Sequence, residues 1–266
     1  MLTGISPPDP YVIDDSFSPS NRDTNGKALR SPVINPGIRT LVLLSCGESN
    51  RTTINPTAYA PTSASVIDNL NVFDGAIYNG TGAALGTPWV KAQGNGNLLF
   101  RVADKLIAAN KTDRVIIGSL AVGSTTIAMW ATGAQAQRFP VAMRRLAAMG
   151  ITPSTPGVTM ALEMALGSND NAQGTTSSSW QASFATFAAA VFATGFNGKI
   201  YVPTETWNAG APSATIQAAQ AAVLNGTTIV QGANSDSLNN TYRQADQVHF
   251  NDTGADAEAT LIAAKF

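Results

Sequence analysis

The chain holds one histidine, His249, and Asp246 stands three residues before it. At that spacing a single turn brings a carboxylate within reach of the imidazole Nδ1. Such a bond would fix the tautomer, leave Nε2 free as a base and stabilise the imidazolium that forms. A serine hydroxyl is a weak nucleophile until a base of this kind takes its proton. Ser49 lies in Gly47-Glu48-Ser49-Asn50, directly after the apolar run LVLLSC (41–46). It suits that role if its turn projects Oγ into a crevice. The plainer readings are a helix N-cap for Ser49 and a solvated loop carboxylate for Asp246. Acyl transfer also needs donors aimed at the developing oxyanion. Candidates are the Ser49 N–H, the backbone at Gly123, where a missing Cβ permits close approach, and the Asn169 side-chain amide. Taken singly, Gly123 is equally a turn glycine and Asn169 equally an Asx-turn residue.

These residues need a frame that brings them to one place. Apolar runs at 39–46, 113–122, 157–167, 199–206 and 227–234 read as five strands. Helical spacing marks 97–110, 135–150, 179–195, 213–226 and 251–266, with Pro140 at a bend or start and a serine cap at Ser213. Strands alternating with helices of this length argue for a parallel sheet covered on both faces. Ligands in such sheets sit beyond the carboxyl ends of the strands. Ser49, Gly123, Asn169 and the Asp246–His249 pair each follow a strand, so all fall at that same edge. Residues 1–37, rich in Pro, Ser, Asp and Asn, read as an extended arm before a single domain over 38–266. Residues 51–96 read as a long irregular insertion, and loops of that length are more often functional than decorative.

Composition narrows the function classes. Net charge is −1 and only 12% of residues are charged, without the basic surplus of a nucleic-acid binder. No run of about 18 apolar residues suggests a membrane span. One cysteine, Cys46, and one histidine leave no cluster to hold zinc. GTGAALG (80–86) lacks dinucleotide-fingerprint spacing, and no Gly-Lys-Ser/Thr exists for a P-loop. No cofactor or metal is therefore expected. The polar, weakly charged composition favours an extracellular, periplasmic or virion setting, and no signal peptide is visible at the start. Oligomeric state leaves no trace in the sequence. Glu48 reads as a solvated carboxylate at a helix start. Trp130 reads equally as core or as a sugar-stacking platform, and Trp89, Trp180 and Trp207 read as packing.

In order, Gly47-x-Ser49-Asn50, Gly123, Gly167-x-Asn169-Asp170 and Asp246-x-x-His249 resemble the four signature blocks of the SGNH (GDSL-type) hydrolases. The likeness spans roughly residues 39–262. It implies a flavodoxin-like three-layer α/β/α sandwich with, on the runs above, a five-stranded parallel sheet. It further implies ester hydrolysis through an acyl-enzyme, with Ser49 as nucleophile, His249 as base and Asp246 as its orienter. Ser49, Gly123 and Asn169 would form the oxyanion hole. GESN and AVGSTTIAMW (121–130) look closest to the sialate O-acetylesterase and acetylxylan esterase branch, whereas Gly167-Ser168-Asn169-Asp170 departs from that branch's Gly-Glu-Ser-Asp. The expected partner is an acylated carbohydrate or another small ester. Two rivals stand beside it: a carboxylesterase or lipase on simple or lipid esters, and a binding or structural module of a virion or cell-wall assembly.

Overall fold

The computed structural model describes residues 24, 26–87 and 96–266. Most of the expected arm, and Trp89, lie outside the described residues. Among the described residues seven strands form one sheet: β1 (Thr40–Gly47), β2 (Ile67–Leu70), β3 (Ile77–Asn79), β4 (Arg114–Ser119), β5 (Val158–Ala165), β6 (Lys199–Thr204) and β7 (Ile229–Asn234). Their order is β3-β2-β4-β1-β5-β6-β7. Every pairing is parallel except that of β2 with β3.

The five expected strands are β1, β4, β5, β6 and β7. Among themselves they run second-first-third-fourth-fifth, the flavodoxin-like order. The strand number needs correction. Two further strands, β2 and β3, lie within 51–96, so that segment is not wholly irregular. Both are short, and β2 carries Asp68 and Asn69 fully buried. Polar residues can sit there because partners come from elsewhere in the chain. Arg114 donates to Asp68, and the Leu85 N–H donates to Asn69 Oδ1 at 2.6 Å.

Seven α-helices flank the sheet among the described residues: α1 (Leu98–Ala108), α2 (Ile127–Ala131), α3 (Arg138–Ala148), α4 (Ser168–Ala172), α5 (Ser177–Ala193), α6 (Ala214–Ala222) and α7 (Asp252–Ala263). The period-two alternation of β1 divides two cores. Val42, Leu44 and Cys46 pack with Trp130, Phe139, Trp180, Phe184 and Ile216 from α2, α3, α5 and α6. Leu41 and Leu43 pack with Leu98, Val102 and Leu106 of α1 and with Ala255, Ala259 and Ile262 of α7. Side-chain caps set several helix starts: Asn97 accepts from Leu99 N, Ser213 from Ile216 N and Asn251 from Gly254 N. α3 starts at Arg138, and its first turn absorbs Pro140 because amides there need no intrahelical acceptor. Trp130 is core: its ring is buried and Nε1 donates to Thr125 Oγ1 at 3.0 Å.

Candidate active site

β1 ends at Gly47, where it runs tight against β5. A Cβ there would lie 2.9 Å from Arg51 Cγ and 3.0 Å from the Ala165 carbonyl oxygen, so only glycine fits. The chain then turns, and Ser49 opens a single 3₁₀ turn over Ser49–Arg51. As the first residue of that turn its N–H has no intrahelical acceptor. Ser49 is half-buried and meets His249: Oγ lies 2.8 Å from Nε2. His249 Nδ1 in turn lies 2.6 Å from Asp246 Oδ2.

Asp246 also builds the turn that presents the ring. Its Oδ1 accepts from the Val248 N–H at 2.9 Å and the His249 N–H at 3.0 Å, an Asx turn, while Gln247 sits at φ +56°. Burial pushes the Asp246 carboxyl up, but hydrogen bonds from the His249 ring and these two amides outweigh it. The net position is below the usual carboxylate range, so Asp246 is an anion facing the imidazole. The plain readings of Ser49 as a cap and Asp246 as a free loop carboxylate do not describe this geometry.

The other two blocks reach the same edge. Val122 N–H donates to the Gly47 carbonyl at 3.0 Å, which sets half-buried Gly123 just beyond the sheet, beside the nucleophile turn. Next to it Ser124 adopts φ +59°, and its carbonyl accepts from Asn169 Nδ2 at 2.8 Å. An amide nitrogen carries two hydrogens, so this bond orients the group and leaves the second N–H for a ligand. Gly167 is forced by crowding, since a Cβ would sit 2.3 Å from the Glu205 carbonyl oxygen. Buried Asp170 accepts from Ile127 N at 3.0 Å and ties the start of α2 to α4.

Both neighbours of Ser49 are structural ties. Asn50 Oδ1 accepts from the Phe250 N–H at 3.2 Å, while Nδ2 donates to Glu205 Oε1 at 3.3 Å and reaches the Val248 carbonyl at 3.5 Å. It therefore clamps the loop that carries His249. Glu48 corrects the expectation of a solvated carboxylate: it is only 3% exposed. Its Oε1 accepts from Gly167 N (3.2 Å), Ser168 N (2.8 Å) and Asn169 N (3.2 Å), and Oε2 from Asn169 N (3.1 Å). Burial, then the nearby Glu205, push its pKa up to about 8 against the pull of those amides.

Beneath this lies a buried cluster that sequence reasoning missed. Arg51 donates from Nε to Glu163 Oε2 (3.0 Å) and from Nη2 to Glu163 Oε1 (2.9 Å) and Glu258 Oε1 (2.9 Å). Glu205 Oε2 is 2.8 Å from the same Nη2. Ser45 Oγ donates to Glu163, and Ser235 Oγ to Glu258. Burial opposes the charge on Arg51, but the surrounding carboxylates hold it above its ordinary value. Burial pushes Glu258 up to about 7 and Glu205 upward also, Arg51 opposing in each case. A signal was present: Glu163 and Glu258 stand within the largely apolar or small-residue runs VTMALEMA and ADAEATLIAA in a chain with few charges. A carboxylate on a buried face calls for a partner.

Among the described residues no three His, Cys, Asp or Glu side chains are placed to hold a metal ion. No protein-family model matches the chain, and no curated protein matches it. Solved structures do. A protein from Arabidopsis thaliana superposes with a TM-score of 0.60 at 11% identity, over 86% of this chain and 97% of that one. A protein of Parabacteroides merdae assigned as a GDSL-like lipase gives 0.52 at 12% identity, over 88% of this chain and 98% of that one. The chain shares its fold with these two proteins. An acetyl-xylooligosaccharide esterase of Geobacillus, as a variant, gives 0.50 at 12% identity over 88% and 96% of the two chains. The four sequence blocks, far apart along the chain, meet at the carboxyl edge of the sheet.

Proposed function

We propose that the chain is a serine ester hydrolase that removes short acyl groups, acetyl foremost, from a carbohydrate. The observation that carries the reading is the continuous line Asp246–His249–Ser49, with contacts of 2.6 and 2.8 Å. In the first step His249 Nε2 takes the Ser49 proton as Oγ attacks the ester carbonyl. The tetrahedral oxyanion is met by the N–H groups of Ser49 and Gly123 and the free N–H of Asn169. Collapse breaks the bond to the sugar oxygen, which takes its proton from the imidazolium. Water, deprotonated by the same Nε2, then releases the acid and restores Ser49. Asp246 stays ionised throughout and stabilises the imidazolium.

A sugar rather than a long acyl chain is favoured by the polar residues around this edge. Ser124 is exposed there, half-buried Asn169 and Asn171 come from α4, and half-buried Asn208 comes from the loop after β6. Asn208 Nδ2 reaches Ser168 Oγ at 3.3 Å, and Asn171 Nδ2 donates to the Thr206 carbonyl at 2.9 Å, so α4 and this loop are joined. The test pairs a fluorophosphonate probe with chromogenic esters of rising chain length and acetylated oligosaccharides. Label on Ser49 alone, loss of turnover in Ser49→Ala and a rate maximum at acetyl are expected. A maximum at eight or more carbons would favour a lipase, and an unlabelled, inactive protein would favour a binding module.

A further inference from the structure

Glu48 and Asn50 flank the nucleophile and face opposite halves of the site. Asn50 is tied to the base loop, and Glu48 to the start of α4, which carries Asn169. The Glu48 contacts are unusual in number: one buried carboxylate accepts from three consecutive amides, and both of its oxygens meet Asn169 N. The same Asn169 is held on its other side by Ser124, whose left-handed backbone turns its carbonyl to the side-chain amide. Between them these contacts leave the Asn169 side chain little freedom relative to Ser49. A donor in an oxyanion hole accelerates reaction only if it is already aimed when charge develops, and a small misplacement is costly.

We propose that Glu48 is a positioning residue that sets the Asn169 side-chain amide as an oxyanion donor, linking nucleophile turn and oxyanion loop through one carboxylate. The proposal rests on the esterase reading above. It differs from a purely structural role, in which Glu48 would only hold α4 in place and its loss would be felt in stability.

The test is a double-mutant cycle on kcat. Activity towards a chromogenic acetyl ester is measured per Ser49 titrated with fluorophosphonate, beside a thermal melt. Glu48→Asp withdraws the acceptor by one methylene and should lower kcat by about 10–50-fold, with KM within about threefold. In an Asn169→Ala background the same change should lower kcat by less than about threefold, because the group it aims is gone. Should the shortened variant fail to fold, the isosteric Glu48→Gln carries the same cycle. Measured above about pH 8, where the wild-type carboxyl is ionised, its amide nitrogen would replace an acceptor that faces an N–H donor, and the expected kcat loss of several-fold should again vanish without the Asn169 side chain. Equal losses in both backgrounds, or unchanged kcat with a lowered Tm, would overturn the proposal. Absence of label on Ser49 in the wild type would remove the esterase reading and the proposal together, and is told apart because it appears before any substitution.

Discussion

Two groups of ionisable residues meet the nucleophile turn, one at the rim and one beneath it, and obey opposite rules. At the rim, the Asp246 side chain is 45% exposed and the His249 side chain 22%. There, hydrogen bonds outweigh burial and hold the carboxyl down. Below the rim, Arg51, Glu163, Glu205 and Glu258 are almost wholly buried. There, burial outweighs the shared guanidinium and pushes Glu205 and Glu258 up. Three carboxylates around one cation cannot all ionise cheaply in a low-dielectric interior. Charge at the rim is available for chemistry, whereas charge below it is committed to joining β1, β5, the end of β6 and α7 under the nucleophile turn. Rim substitutions should therefore change rate and spare stability, and substitutions in the cluster should do the reverse.

The largest effect is expected at the rim. His249→Ala should lower kcat by at least about 10⁴-fold, and Tm should stay close to that of the wild type because the ring is half-buried on a loop. Asp246→Asn should come next, with a loss on the order of 10⁴-fold if orientation of the ring depends on the carboxylate as in serine proteases. Steady-state kinetics beside a melt checks both. Full activity in His249→Ala without added imidazole rejects the mechanism.

Arg51→Met inverts the pattern. It strands three buried carboxylates and should cost about 3–5 kcal/mol of stability, a fall in Tm of roughly 6–20 °C for a domain of this size. Activity per titrated Ser49, measured at low temperature, should fall by much less than in either rim variant. A stable Arg51→Met that has lost its activity would show that the cluster belongs to the chemistry.

The two regions also differ in how far the sequence disclosed them. The rim was legible because its residues follow strands, and strands β1, β4, β5, β6 and β7 show as apolar runs. A lone histidine three residues after an aspartate then has few alternatives. The polar strand β2 was hidden because Asp68 and Asn69 break the apolar pattern, and their burial depends on Arg114 and Leu85, distant in sequence. Glu48 was misread for the same reason. A carboxylate beside a turn looks solvated until the amides of Gly167–Asn169, 119 to 121 residues away, close over it. The cluster of Arg51 joins residues up to 207 positions apart. Its members could be suspected singly, as charges in apolar runs, but their meeting depends on the tertiary fold.

The smallest expected effect is a pH dependence of stability that arises below the rim. Glu258 is pushed up from 4.5 to about 7 and Glu48 to about 8, with Glu205 moved the same way. In the unfolded chain these carboxyls release their protons near the ordinary value, while in the folded protein they keep them. Between about pH 4.5 and 8 the folded state therefore binds more protons, and stability falls as pH rises, by up to about 1.4 kcal/mol per pH unit for each proton involved. Carboxyls held low, such as Asp246, act in the other direction only below their ordinary range, so they do not mask this window. Glu258→Gln imitates the protonated form and keeps an oxygen to accept from Arg51 and Ser235. It should match the wild type near pH 5 and exceed it by about 1–3 kcal/mol near pH 8. Denaturant melts at the two pH values decide the point. A wild type that gains stability between pH 5 and 8, or a Glu258→Gln that loses the same stability at both, would mean that Glu258 meets the buried guanidinium as a full anion.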